Sequence, residues 1–260
     1  MIIDGKKIAA EVLARAKTRA QMLQRRPNVL VYVSPDETLA TRSYLKIKAR
    51  SAGEAGCDFE ETRSLTFSSK ADAIIVQLPL APEVNTMEVL NTISIQQDAD
   101  VLSDAAREKF EKGDADSILP PVVAAIREIF VREKIETKHK WAVVVGEGWL
   151  VGKPAAAWLK LQGANVEVVT SKTKDLSAKL RSADIIVSGA GSPHLIKPDM
   201  LKQGVVLIDA GTSESGGTLA GDADPACADK CSIFTPVPGG VGPLAVACLF
   251  ANAVTLAERQ

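Results

Sequence analysis

The chain has 260 residues, 46% of them hydrophobic and 24% charged, with a formal net charge of -1. That is room for two modest domains or one large one, and the balance is that of an ordinary soluble globular protein, which excludes a disordered chain. Lys and Arg are spread along the sequence without a basic stripe, so no nucleic-acid partner is expected. No apolar run approaches the roughly 20 residues of a membrane span, and Met1-Ile-Ile-Asp-Gly-Lys-Lys lacks a signal-peptide core. No membrane partner and a cytoplasmic location follow as expectations. Cys57, Cys227, Cys231 and Cys248 are too scattered for a disulfide framework. Cys227 and Cys231 lack a second Cys or His cluster to complete a metal site, so no metal is expected.

In chain order, Ile8, Val12, Leu13, Ala16, Ala20 and Leu23 form a helical stripe over residues 5–25, which Pro27 stops. Asn28 to Ser34 reads as a strand turned away by Pro35-Asp36. Thr38 to Ala55 is helical in pattern and carries Tyr44 and Lys48 four apart, so both side chains leave one face of the helix. An aromatic ring beside an amine suits a flat substrate and a proton transfer. The same spacing also fits a surface helix with a half-packed Tyr44 and a solvated Lys48. Ala73 to Val76 is a short buried strand running into Gln77-Leu-Pro-Leu-Ala-Pro82, a stiff loop at the end of a strand where open α/β sheets hold ligands. A helix over 84–93 follows. Gln97-Asp-Ala-Asp100 then offers two carboxylates two apart, whose simplest use is in capping and turns.

Leu119-Pro120-Pro121 is a stiff entry to a helix over 122–134 and the candidate domain boundary. Beyond it the pattern predicts strands at Ala142–Val145, Val166–Val169, Ile185–Ser188, Val205–Asp209 and Ser232–Phe234. Their spacing of about 20 residues implies parallel strands joined by crossovers. The first strand leads into Gly146-Glu-Gly-Trp-Leu-Val-Gly-Lys-Pro154, a glycine-rich turn and helix start of the kind that receives a phosphate. Pro154 suits the first helical position. The spacing G-x-G-x-x-x-G is one residue longer than the common dinucleotide fingerprint. The second strand ends in Thr170-Ser-Lys-Thr-Lys174, hydroxyls and amines with no carboxylate, which suits a 2'-phosphate and hence NADP, and also fits a solvated loop. Thr235-Pro-Val-Pro-Gly-Gly-Val-Gly-Pro243 then fixes a loop of unusual shape before an apolar helix from Leu244 to about Glu258.

Five strings in this order are Tyr44-x-x-x-Lys48, Val76-Gln-Leu-Pro-Leu80, Asp98-Ala-Asp100, Val151-Gly-Lys-Pro154 and Thr235 to Pro243. On them the sequence resembles the bifunctional methylenetetrahydrofolate dehydrogenase/cyclohydrolase family, over nearly the whole chain. The resemblance implies an α/β fold with two domains and a folate cleft between them. One is an N-terminal α/β folate domain, residues 1–119 with a returning C-terminal helix 243–260. The other is a Rossmann-type parallel-sheet dinucleotide-binding domain, residues 120–242. It implies NADP-dependent oxidation of 5,10-methylenetetrahydrofolate, hydrolysis of the methenyl product to 10-formyltetrahydrofolate, a place in purine biosynthesis, and a homodimer. NAD is the alternative cofactor.

Carried over by position, Lys48 would be essential to hydrolysis, Tyr44 would stack on the folate, Gln77 would orient Lys48 and Asp100 would bind the pterin. Leu78, Pro79, Gly239, Gly242 and Pro243 would line the folate site. Gly146, Gly148, Trp149, Val151, Gly152, Lys153 and Pro154 would form the cofactor turn, with Ser171 and Lys172 near the 2'-phosphate. The chain departs from the family in several places. It is shorter by about one helix between Gly56 and Ala73, so one wall of the first domain is expected to be missing or replaced. It has Asp100-Val101-Leu102 for the usual Asp-Gly-Phe and Ile118-Leu-Pro-Pro121 for Pro-Cys-Thr-Pro. Gly148 replaces a Ser, and Thr170-Ser-Lys172 replaces His-Ser-Arg. The last two changes remove phosphate contacts, which leaves two other readings open: a cyclohydrolase with weak or no dehydrogenase activity, and a non-catalytic folate- or dinucleotide-binding protein.

Overall fold

A computed structural model describes residues 1–67, 70–215 and 218–260. The chain forms two compact units, Met1–Ile8 with Val122–Ala245, and Ala9–Pro121 with Val246–Gln260. Helix α1 (Gly5–Ala20) runs from the first into the second, and helix α8 (Val241–Glu258) does the same.

The second unit is built on a three-stranded parallel sheet of order β2-β1-β3, with β1 Asn28–Tyr32, β2 Asp58–Thr62 and β3 Ala73–Val76. Strand β3 is buried along its whole length, and β1 after its first residue. This matches their runs of β-branched residues. Strand β2 was not expected. Its sequence Asp-Phe-Glu-Glu-Thr is mostly exposed, as an edge strand can be. Helix α2 (Leu39–Glu54) joins β1 to β2 and is started by Thr38, whose hydroxyl accepts from Thr41 N at 3.1 Å. Between β2 and β3 no helix is present among the described residues. Phe67 from this connection meets the Tyr32 ring edge-on, with centroids 6.4 Å apart.

Helix α3 (Thr86–Asn91) is capped by Asn85, and α4 (Asp104–Glu111) by Ser103. The α8 segment from Val246 onward closes this unit. Leu249, Phe250, Ala253 and Val254 are buried, and the Asn252 amide donates to the carbonyls of Ala99 and Leu119 at 2.9 Å each. α8 is also the one helix, among the described residues, long and apolar enough to cross a membrane. Its burial inside the protein accounts for that composition.

The first unit holds a five-stranded parallel sheet of order β10-β7-β6-β4-β5. The strands are β4 Trp141–Val145, β5 Asn165–Val169, β6 Ile185–Ser188, β7 Val205–Asp209 and β10 Cys231–Phe234. Helices α5 (Pro121–Arg132), α6 (Gly152–Leu161) and α7 (Leu176–Ser182) belong to the same unit, whose core gathers Val143, Val145, Val169, Leu180, Ile186 and Leu207. Strands β8 (Ser213–Ser215) and β9 (Thr218–Ala220) pair antiparallel and were not expected. Ile2 bridges in parallel to Phe234, and Gly5 approaches the Gly240 carbonyl so closely that a Cβ would lie 1.8 Å from its oxygen. The strand order reverses between β4 and β6, the topological switch point at which such sheets open a ligand crevice.

Candidate functional site

Lys48 lies in the middle of α2, three residues after the buried Leu45, and so borders the helix face turned to the sheet. Its Nζ donates to Gln77 Oε1 at 2.9 Å. Gln77, at the end of β3, is itself held, because its Nε2 donates to the Leu78 carbonyl at 2.8 Å. That second bond fixes which end of the amide meets the amine. The Leu78-Pro79 peptide that follows is cis. Lys48 is therefore not a solvated surface residue. Tyr44, one turn before it, is 45% exposed, which leaves a ring face available for stacking.

Asp100 follows a segment that is pinned to β3 two residues earlier. Ile74 bridges in parallel to Asp98, and Ile74 N donates to the Gln97 carbonyl at 2.7 Å. The chain turns directly after this bridge, Val101 N donating to the Asp98 carbonyl at 3.3 Å, and Asp100 lies in that turn. Burial pushes the Asp100 carboxyl up to about 6, with the nearby Lys48 ammonium pulling the other way. Burial likewise lowers the Lys48 amine, and Asp100 opposes that shift.

The two carboxylates of Asp98-Ala-Asp100 have separate jobs. Asp98, buried, accepts from Leu102 N, Ser103 N and Ser103 Oγ at 2.7 to 3.2 Å, which serves the turn into α4. Asp98 thus serves the backbone through its side chain, while Asp100 lies in the turn itself and its carboxyl is coupled to the Lys48 ammonium. Val101 between them and α4 takes a left-handed backbone with φ 58, a conformation open to glycine and costly for a β-branched residue.

The structure brings Lys48, Gln77, Leu78, Pro79 and Asp100 together in one unit, with Tyr44 on the same helix as Lys48. Gly239, Gly242 and Pro243 belong to the other unit. Gly239 lies in the turn before α8 with φ +106, and Gly242 and Pro243 are in the first turn of that helix. The Val237-Pro238 peptide before them is cis.

The glycine-rich segment follows β4 as expected. α6 starts at Gly152, so Pro154 is its third residue and not its first; it is still within the turn whose N–H groups lack an intrahelical partner. Val151 precedes the helix and offers no side-chain acceptor to those groups. A Cβ on Gly152 would lie 2.1 Å from the Gly146 carbonyl oxygen, so the helix start rests directly on the turn. Gly148 has open space where a Cβ would be, Trp149 is partly exposed and Lys153 is exposed. Beside this turn, Gly146 N donates to the Val169 carbonyl at 2.8 Å, which sets it next to the end of β5. Ser171 and Lys172 are exposed there, in a turn held by the Thr170 N to Thr173 Oγ1 bond at 2.9 Å. A helix start without a side-chain cap, a cradle that a Cβ would fill, and an adjacent amine and hydroxyl fit a dinucleotide phosphate.

Sequence reasoning missed the loop after β6, Ser188 to Ser192, on the other side of the switch point. Gly189 packs against Val151, where a Cβ would lie 2.4 Å from Val151 Cγ1. Its only sequence signal is the pair Gly189 and Gly191 around Ala190.

Comparison with known proteins bears on both sites. The model for the NAD(P)-binding domain of tetrahydrofolate dehydrogenase/cyclohydrolase matches residues 120–260. "Bifunctional protein FolD" of Hydrogenobaculum sp. is 33% identical, the alignment spanning 100% of this chain and 99% of that protein. The FolD protein of Moorella thermoacetica is 36% identical, with 99% of each chain covered. Among solved structures, the bifunctional FolD of Campylobacter jejuni superposes with a TM-score of 0.95 at 30% identity, over 100% of this chain and 99% of that one. The FolD of Trypanosoma brucei, complexed with NADP cofactor and inhibitor, gives 0.92 at 28% identity, over 100% and 97%. The fold is thus that of a two-domain α/β protein with a Rossmann-like domain. The chain belongs to the tetrahydrofolate dehydrogenase/cyclohydrolase family, whose bacterial members are the FolD proteins.

Proposed function

We propose that this enzyme oxidises 5,10-methylenetetrahydrofolate with NADP and hydrolyses the methenyl product to 10-formyltetrahydrofolate, with the roles divided between the two units. The observation that carries this reading is the fixed Lys48–Gln77 pair, 2.9 Å apart, with Asp100 beside it. In hydrolysis, water adds to the methenyl carbon and the bond from that carbon to N5 breaks. One proton of the water ends on N5 and the other in solvent. Lys48, an amine lowered by burial, is the proton handler for that exchange. Gln77 keeps its Nζ in place, Asp100 accepts hydrogen bonds from the pterin, and Tyr44 stacks on the folate, with Leu78 and Pro79 lining the site.

Bound NADP supplies the acceptor for the hydride. The chain's own part in that step is positioning, through the Gly146–Pro154 turn for the phosphates and Ser171 with Lys172 for the 2'-phosphate. We further infer a cytoplasmic homodimer that serves purine biosynthesis, with folate as its small-molecule substrate and no membrane or nucleic-acid partner.

Purified protein given 5,10-methylenetetrahydrofolate and either NADP or NAD tests this directly. Formation of NADPH together with loss of the methenyl absorbance is the expected result. Methenyl hydrolysis without reduction of either cofactor would leave a cyclohydrolase alone, and absence of both would leave a binding protein.

A pH profile separates the role of Asp100 from that of Lys48. The carboxylate charge of Asp100 opposes the burial that lowers Lys48. In Asp100→Asn that opposition is gone, so the Lys48 amine loses its proton at lower pH. The limb of the kcat profile for hydrolysis that belongs to Lys48 should move toward lower pH. A limb that stays put or moves upward would contradict the pairing.

A further inference from the structure

The crevice at the switch point has two walls. One is the glycine turn after β4; the other is Ser188 to Ser192 after β6. The second wall carries two glycines, one of them, Gly191, with φ +65, and no helix follows it within the next five residues. It has no helix of its own, and its ladder goes one residue past β6, where Gly189 N donates to the Val145 carbonyl at 2.9 Å.

Past Gly189, the backbone N–H groups of Ala190 and Ser192 are held by one side chain. Asp222, two residues after β9, is fully buried. Its Oδ2 accepts from Ser188 Oγ at 2.6 Å and from Ala190 N at 2.7 Å, and its Oδ1 accepts from Ser192 N at 2.7 Å. Three of the five residues of the wall are thus bonded to a single carboxylate, two of them through the backbone. Bonds to an ionised acceptor are the stronger kind.

Asp222 is itself held on every side. Ile196 N donates to its carbonyl at 2.9 Å, and Ile196 bridges to Ala223. The carboxylate fills the space over Gly211, where a Cβ would lie 2.2 Å from Asp222 Cγ. A second buried acid, Asp209 at the end of β7, ties Gly211 N and Ala223 N at 2.9 and 2.8 Å. It occupies the space over Gly221 in the same way, 2.3 Å from a Cβ there.

In a doubly wound sheet the phosphates lie at the first glycine turn and the adenine half over the neighbouring strand. The other half of the dinucleotide then crosses the switch point to the far side. Here β5 lies on one side of β4 and β6 on the other, so the nicotinamide half falls against the loop after β6. We propose that Asp222 is a positioning residue for the dinucleotide, holding the backbone of Ser188 to Ser192 as the wall that receives the nicotinamide half. The assignment rests on the dinucleotide reading of the crevice. Asp222 touches neither substrate nor reacting atoms. It acts through the loop.

Asp222→Asn keeps the shape of the side chain but turns an NH2 toward one of the backbone N–H groups it now accepts from. The dissociation constant for NADP, measured by calorimetry on the full chain, should rise by about 10- to 100-fold, with a parallel rise in KM for NADP and a fall in dehydrogenase kcat. Methenyl hydrolysis assayed without dinucleotide should keep its KM for the folate. Ser188→Ala, which removes one bond of the three, should give a smaller rise and so keeps the test open if Asp222→Asn does not fold. NADP affinity within twofold of wild type in folded Asp222→Asn, or in Ser188→Ala where that is the only folded variant, would overturn the proposal while leaving the dinucleotide reading intact. A wild-type chain that binds no NADP would remove both.

Discussion

Replacing Lys48 by Met should lower the rate of 5,10-methenyltetrahydrofolate hydrolysis by about 10²- to 10⁴-fold, the usual contribution of a positioned acid–base group. Methionine keeps the length and the apolar stem of the side chain and removes only the amine. The Gln77 Oε1 then loses its Lys48 donor, which costs on the order of 1–3 kcal/mol if no water replaces it. The gain from no longer desolvating an ammonium offsets part of that. The variant should therefore fold, with a circular dichroism melt within several degrees of wild type, while hydrolysis followed by methenyl absorbance is nearly lost. Unchanged hydrolysis in a folded Lys48→Met protein would sink the role given to the amine.

Gly152→Ala should have the largest effect on the other half-reaction. The added Cβ would lie 2.1 Å from the Gly146 oxygen and 2.7 Å from its carbonyl carbon, both backbone atoms that no side-chain rotation can move away. The turn must open or the helix start must shift, at a cost of about 1–3 kcal/mol in stability. The N–H groups meant for the phosphate are displaced with it. NADP-dependent oxidation should drop by about 100-fold or more, since small misplacements in a positioning site have effects of that size. Gly148→Ala is the control, because a Cβ there meets nothing within 4 Å. It should leave stability near that of wild type. Equal stabilities for the two variants in a thermal melt would show that the close approach at Gly152 carries no load.

The inner strands β4, β6 and β7 were legible because each is a nearly continuous apolar run, as burial on both faces demands. The edge strand β2 was not, since Asp58-Phe-Glu-Glu-Thr62 has only one apolar side chain and its pairing with β1 is a matter of backbone bonds. Helix α4 was missed because it has eight residues and only Ala106 and Phe110 buried, although Ser103 ahead of it was a usable start signal. Strands β8 and β9 were not legible because three residues each are too few to show a period.

At the site, helical spacing was enough to put Tyr44 and Lys48 on one face. It could not show that Lys48 meets Gln77, 29 residues away. Only the family resemblance suggested that pair. Nor could spacing tell which carboxylate of Asp98-Ala-Asp100 would serve the backbone and which would face a charge. The fold decides that: Asp98 accepts from Leu102 N and Ser103 N, and Asp100 is coupled to Lys48, which is distant in sequence.

The two helices that pass from one unit to the other have a consequence for folding. The unit that begins the chain needs its far end: the Met1 ammonium donates to the Ser232 carbonyl across a separation of 231 residues. The other unit needs the last turns of α8, where Glu258 pairs with Arg19 across 239 residues. Each unit is thus closed by contacts of long sequence separation, which form late because the intervening chain must be ordered first. Refolding should be slow for a chain of this size, and the α8 segment from Val246 onward, with Leu249, Phe250, Ala253 and Val254 buried, is the piece its unit must wait for.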